Sequence, residues 1–218
     1  MAAHEVTVQQ VADFNPQQYP NRDYSRTPDS PMSVVEWRMA VAYCNWLSKR
    51  EGLPEFYPDN DEDAEKWVVT EDALKQPGYR LPMEAEWEFA SLSGSQSERF
   101  FGTESDMVVR YAWCVENSEE TVQGVDPPQI EPRTKEPAIY ARPVGLLRPN
   151  DFGLFDIYGN VSEWCNDLGR TESNERGIRG GAVGGMSRYM NSGKVGSALP
   201  RQQYNSNGFR ITRTLESH

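Results

Sequence analysis

The sequence predicts an α+β domain, with helices early in the chain and short strands late. Three observations carry this. Residues 33–47 and 83–90 place apolar side chains at helical spacing. Strand-like pieces follow only from residue 140 onward, separated by turn-rich stretches. The length, 218 residues, suits one sizeable domain with its own core. No internal repeat interrupts that order.

The elements run as follows. Residues 7–14 read as a short helix: Thr7 caps it, Gln10 stands three residues on, and Val8, Val11 and Phe14 share a face. Residues 15–31 hold Pro16, Pro20, Pro28 and Pro31 and predict an ordered loop that packs Tyr19 and Tyr24. Ser33 and Glu36 form a capping box ahead of Trp37, Ala40, Val41, Cys44 and Leu47, and Gly52 closes that helix. Cys44 lies on the apolar stripe and reads as a core residue. The acidic stretch 55–72 belongs on the surface. Pro82 opens a second helix over 83–90, where Glu84 and Glu86 suit the positive end and Trp87 and Ala90 face the core. Residues 116–137, with four prolines, predict an exposed loop. Strands are expected at 140–144, 161–165, 178–183 and 209–212.

Charge narrows the function. The net charge is −11 and the isoelectric point about 4.7, the reverse of a nucleic-acid backbone binder. No run of apolar residues is long enough for a membrane-spanning helix. Neither nucleic acid nor membrane is therefore an expected partner. Residues 176–215 hold Arg176, Arg179, Arg188, Lys194, Arg201, Arg210 and Arg213 without one acid. That run is read as solvated surface and internal ion pairing, or more sharply as a basic face for an anionic ligand. The histidines, His4 and His218, stand at the chain ends. That excludes a Ser-His-Asp triad, a Cys-His dyad and a histidine metal cage. Cys44, Cys114 and Cys165 match no zinc spacing. Without an evident pairing they favour a reducing, cytoplasmic setting.

Five stretches taken together resemble one family. They are PMSVVEWRMAVAYCNWLS (31–48), YRLPMEAEWEFAS (79–91), PVGLLRPNDFGLFDIYGNVSEWCND (143–167), RGG (179–181) and NGFRITR (207–213). Their order and spacing are similar to the formylglycine-generating enzyme family, the sulfatase-modifying-factor domain. The resemblance implies a single α+β domain of low regular secondary structure, related to the C-type lectin fold. Family members usually carry a strand before the "EVT" at residues 5–7. The expectation is one domain over 1–218, incomplete at its N-terminus, within a longer protein.

The resemblance also implies a departure. Family enzymes hold copper with two cysteines at the seventh and twelfth residues of a segment that begins RGG. Those positions here are Gly185 and Met190. Tyr189 matches an active-site tyrosine of the family, whereas Ala182 replaces a serine. Copper(I) needs soft sulfur donors, and the thiolate is the binding form. No copper and no formylglycine generation are expected. The resemblance further implies a structural calcium in residues 156–163, held by the side chains of Asp156 and Glu163 and the carbonyls of Gly159 and Val161. These are hard oxygen donors, as calcium requires. The competing reading has Glu163 bonding the loop backbone with no ion.

Three roles stay open. The first is a recognition module for a protein or peptide, with a groove lined by Trp113, Met186, Arg188, Tyr189, Met190, Tyr204 and Asn205. In related retroelement-diversified proteins the variable residues lie just before the closing GFR, where residues 184–207 stand here. The second is an oxidoreductase of different chemistry, its metal supplied by another domain, with Glu116 and Asp167 as acid–base candidates. The third is a scaffold domain that packs on neighbouring domains of the same polypeptide.

Overall fold

The computed structural model describes residues 1–18, 23–58, 67–118, 139–169 and 174–215. Tyr19, residues 59–66 of the acidic stretch and residues 119–137 of the proline-rich loop lie outside the described residues.

Helix α1, Val8–Phe14, carries the expected capping box. Thr7 Oγ1 accepts from the Gln10 N–H at 3.3 Å, and Gln10 Oε1 accepts from the Thr7 N–H at 2.9 Å. Helix α2, Trp37–Arg50, begins later than expected. Ser33 does not cap it, because its hydroxyl and N–H both bond the buried Ser25 hydroxyl, at 2.6 and 3.1 Å. Glu36 is instead the extended residue before the first turn. Gly52, at φ +70°, ends the helix in the left-handed conformation. Helix α3, Glu84–Leu92, starts after Met83, whose side chain makes no cap bond, while Glu86 Oε2 accepts from the Met83 N–H at 2.9 Å. A carboxylate from a distant strand adds a second bond: Asp167 Oδ2 accepts from the Glu84 N–H at 2.6 Å. A one-turn helix α4, Val115–Ser118, follows later in the chain.

The sheets are small. β1, Ala112–Trp113, pairs in parallel with β2, Tyr158–Gly159. A four-stranded sheet orders β5 (Gly196–Ala198), β4 (Arg176–Arg179), β3 (Ser162–Leu168) and β6 (Asn207–Gly208). β4 runs antiparallel to β3 and to β5, and β6 runs parallel to β3. The expected strand over 178–183 stops at Arg179, because Gly180 and Gly181 turn the chain away at φ +90° and +78°. Residues 140–144 form a single bridge, Ser25 to Ala141, in place of a strand. The last expected strand shifts to Asn207–Gly208, leaving one bridge between Arg80 and Thr212.

β3 divides the interior. Successive side chains of a strand point to opposite faces. Trp164 enters a core with Trp37, Val41, Cys44, Leu81 and Phe209. Cys165 enters a second core with Trp87, Leu154, Ile157, Tyr158 and Met190. Each large apolar side chain buried in this way contributes about 1.5–3 kcal/mol. The three cysteines are free and buried. Burial pushes the thiols of Cys44 and Cys165 well above the usual range, and Cys114 up to about 12. None of them is poised as a thiolate.

Candidate functional site

The buried side of the molecule holds a polar heart. Glu163 and Arg210 are both fully buried and bonded, with Arg210 Nη2 2.8 Å from Glu163 Oε1. Arg210 Nε reaches both carboxylate oxygens at 3.0 and 3.1 Å. Trp87 Nε1 donates to Glu163 Oε2 at 2.7 Å. The rest of the Arg210 guanidinium donates to the carbonyls of Ala2, Ala3 and Phe155. Asp156 stands beside this pair, its Oδ2 accepting from the Gly145 N–H at 2.7 Å. Its Oδ1 is buried with no partner among the described residues. Burial pushes the Asp156 carboxyl up to about 6; the Gly145 N–H and Arg210 pull the other way, and the Glu163 charge adds to the rise. Glu5 is buried in the same place and accepts from the Val161 N–H and the Asn160 side chain, each at 3.4 Å. Burial first, and the Asp156 charge second, raise its pKa well above the ordinary value.

The opposite side of the same loops bears a groove. The segment after β4 leaves the sheet at Gly180 and is pinned along its length. Arg179 pairs with Glu84 at 3.1 Å and Glu88 at 3.3 Å, and donates to the Ser192 carbonyl at 2.7 Å. The Val183 N–H bonds Asn160 O, and the Gly185 carbonyl accepts from the Val115 N–H. Arg99 Nε donates to the Met190 carbonyl at 2.5 Å. Glu116 accepts from the N–H and hydroxyl of Ser187 at 2.9–3.1 Å. Burial works to raise its pKa. Hydrogen bonds from its own N–H, Cys114 and Ser187 outweigh this and lower it.

These anchors hold open a cavity of about 410 Å³ lined by Gly181, Gly184, Gly185, Met186, Met190 and Lys194, among others. Of the expected groove residues, Met186 and Met190 line this cavity. Arg188 and Tyr189 are exposed beside the cavity, with the guanidinium 4.8 Å from the ring centroid. Tyr204 and Asn205 are exposed next to Ser206, which lines the cavity. Asn205 Nδ2 donates to the Tyr24 hydroxyl at 2.6 Å.

Trp113 does not line the cavity. Its strand pairs with Tyr158–Gly159, and its side chain is buried beneath the Arg142 guanidinium at 5.7 Å. Sequence reasoning missed Lys194 and the small residues Ser162, Ala182 and Gly196 of the lining. Lys194 was visible as one of the cations in the acid-free run. The small residues carry no signal that separates a groove wall from a loop.

Residues 1–215 match the family of sulfatase-modifying factor enzyme 1-like domains. The chain belongs to that family. Among its relatives, the chaperone protein LppX of Paenibacillus barcinonensis is 36% identical over 63% of this chain and 51% of its own length. The formylglycine-generating enzyme of Thermomonospora curvata is 28% identical over 68% of this chain and 37% of its own. The chain thus spans about half, or less, of the curated relatives it matches. Variable protein 1 of Treponema denticola shares the fold with a TM-score of 0.74 at 23% identity, over 95% of this chain and 81% of that one. PvdO of Pseudomonas aeruginosa does so with 0.69 at 21%, over 98% and 79%.

In this sulfatase-modifying-factor domain the two positions of the family's cysteine pair remain adjacent. A Cβ built on Gly185 lies 3.3 Å from Met190 Cε. Glycine offers no donor and Met190 only a thioether, so the pair does not fit a bis-thiolate copper centre. The donor set expected for calcium does not fit that ion in the described arrangement either. Both oxygens of Glu163 are committed to Arg210 and Trp87, so the buried cation at this carboxylate is the guanidinium. The reading in which Glu163 bonds the loop backbone fails as well, since its partners are side chains. Asp167 caps helix α3, and Glu116 braces the loop at Ser187. Both acid–base candidates thus hold structural hydrogen bonds.

Proposed function

We propose that this domain is a non-catalytic recognition module whose groove takes a protein or peptide segment. One observation carries the reading: hydrogen bonds along the segment hold the groove open while the positions matched to the family's cysteine pair are Gly185 and Met190. Backbone anchors define the shape of a binding site, and side chains define its chemistry. Here the groove is braced by backbone hydrogen bonds, and no thiolate stands at the two matched positions. The exposed Met186 and Tyr189 beside the cavity, at 45% and 51% exposure, are adaptable contact groups of the kind enriched in binding surfaces.

Two measurements test it. A Cys-x-Pro-x-Arg peptide incubated with the domain and copper under air is expected to keep its mass, and reproducible conversion to formylglycine sinks the reading. Capture from a peptide array is expected to depend on the groove. Gly184→Trp fills the groove without backbone strain, since a Cβ there meets only Ile139 Cγ2 at 3.7 Å. Capture that survives this substitution counts against the groove.

A scaffold role has its own support. Phe89 and Phe152 are 68% and 51% exposed, pack on each other at 5.7 Å, and border a recess of about 530 Å³ with Met1 and Leu154. Exposed aromatics grouped around a recess mark a protein contact. Phe89→Ser with Phe152→Ser is expected to leave the isolated domain folded and to weaken its attachment to neighbouring domains in the full-length polypeptide. Unchanged attachment removes this additional role.

A further inference from the structure

We infer that the groove selects an acidic, extended peptide segment, an assignment that rests on the recognition reading above and adds the chemistry of the ligand. The basic run at residues 176–215 supplies the first observation. Most of its charge is used internally. Arg179 pairs with Glu84 and Glu88, Arg210 with Glu163, and Arg213 with Glu51. Arg176 is buried, donates to the carbonyls of Asn166 and Trp67, and lies over the Trp37 ring at 4.2 Å. Arg201 is also engaged. Arg188 and Lys194 are the exception. Both are exposed, they flank the Tyr189 ring at 4.8 and 5.4 Å, and neither pairs with a carboxylate among the described residues.

A second cationic stack lies one residue beyond Ile139, outside the cavity lining. Ile139 touches the Gly184 position. At the next residue, the Tyr140 ring lies under Arg26 at 3.6 Å and Arg142 at 4.4 Å. Arg142 is held in place by the Tyr140 hydroxyl and the Ser118 carbonyl, whereas Arg26 has no carboxylate partner among the described residues. The carboxylates that touch the groove segment are already engaged, Glu116 by the N–H and hydroxyl of Ser187 and Glu84 and Glu88 by Arg179. Among the described residues, no acidic side chain lines the cavity.

The walls set the shape of the ligand. Gly181, Gly184, Gly185 and Gly196 leave no side chains between a bound main chain and the groove floor. An extended chain with small residues fits there, and its carboxylates reach the rim formed by Arg188 and Lys194. The net charge of −11 opposes an acidic ligand at long range. Screening limits that repulsion to roughly 8–10 Å at physiological salt, so selection lies in the contact pairs. Contact with the Tyr189 ring restricts the two side chains, which lowers the ordering cost of pairing them with a carboxylate.

The test is fluorescence anisotropy with three fluorescein-labelled octapeptides of alternating Gly and Glu, Gly and Gln, or Gly and Lys. The Glu peptide is expected to bind about tenfold tighter than the Gln peptide, and the Lys peptide more weakly than either. Arg188→Ala with Lys194→Ala is expected to weaken the Glu peptide about tenfold and leave the Gln peptide unchanged. Both residues are exposed, so the melting temperature should not move. Gln or Lys peptide binding as tightly as Glu, and still lost in Gly184→Trp, overturns the acidic assignment and leaves the groove reading standing. Glu peptide binding that survives Gly184→Trp overturns both. Binding of none of the three overturns the acidic assignment alone, and the peptide array then decides the groove.

Discussion

Two glycine-containing loops of this domain meet back to back, and they dispose of their charges in opposite ways. The loop 156–163 places Asp156 and Glu163 inside the molecule, where Arg210, Trp87 and the Gly145 N–H take them up. The segment 179–193 is pinned by Arg179 at its start, yet it leaves Arg188 exposed without a carboxylate partner among the described residues. Loop 156–163 has the residue types of a site and is a structural brace. Segment 179–193 has neither a carboxylate nor a thiol, and it borders the cavity. A charged residue type is a weak sign of function until its partners are known.

The largest break in that contrast comes from the brace. Glu163→Ala leaves the Arg210 guanidinium buried without its carboxylate and is expected to cost about 4 kcal/mol in urea unfolding. Lys194→Ala, at the groove rim, is expected to stay within about 0.5 kcal/mol. A smaller loss at Glu163 than at Lys194 reverses the assignment of the two loops.

Glycines sharpen the same comparison. Gly159 sits at φ +79°, and a Cβ there falls 2.1 Å from the Trp113 carbonyl oxygen. Gly159→Ala is expected to cost about 3 kcal/mol. Gly184→Ala meets ordinary contact distance and should be neutral within about 0.5 kcal/mol.

Asp156 gives a pH signature. Its folded pKa, about 6, lies above the ordinary value of 3.8. The folded state therefore binds the proton more tightly than the unfolded chain. Its contribution to stability is fully present below about pH 3.8 and is lost as pH rises through 6. The loss amounts to about 2–3 kcal/mol over that window. Asp156→Asn keeps an acceptor for the Gly145 N–H and tolerates the positive φ of 53°. Stability measured between about pH 4 and 7 is expected to be flatter in this variant and higher at the neutral end. A variant as steep as the parent places the titration elsewhere.

The smallest expected effect concerns the ion. Melting curves in excess chelator and in millimolar calcium are expected to coincide, because Glu163 is already neutralised. A calcium-dependent rise in melting temperature means that Glu163 exchanges Arg210 for the ion.

Much of the fold was legible from local signals. The Thr7/Gln10 capping box, the apolar stripe of Trp37, Ala40, Val41 and Cys44, and the Gly52 stop each act over a few residues, and each stands as read. Signals with a distant competitor failed. Ser33 has the residue type of a cap, yet Ser25 claims its hydroxyl. Helix α3 keeps its local Glu86 bond to the Met83 N–H, but its second cap, Asp167, comes from a distant strand. β5, with its Gly-Ser-Ala sequence, carries no apolar alternation and forms only because β4 offers an edge. In the groove, Met186 and Met190 were legible through the family pattern, while Trp113 was misplaced because a two-residue strand buries it.

The sequence by itself determined the family, the early helices and the loss of the cysteine pair, since motif spacing and residue identity need no third dimension. Tertiary structure alone decided which charges are used up. Ion pairing depends on distance and burial. Arg210 and Arg188 belong to the same acid-free run, yet one is enclosed with Glu163 and the other stands in solvent beside the groove.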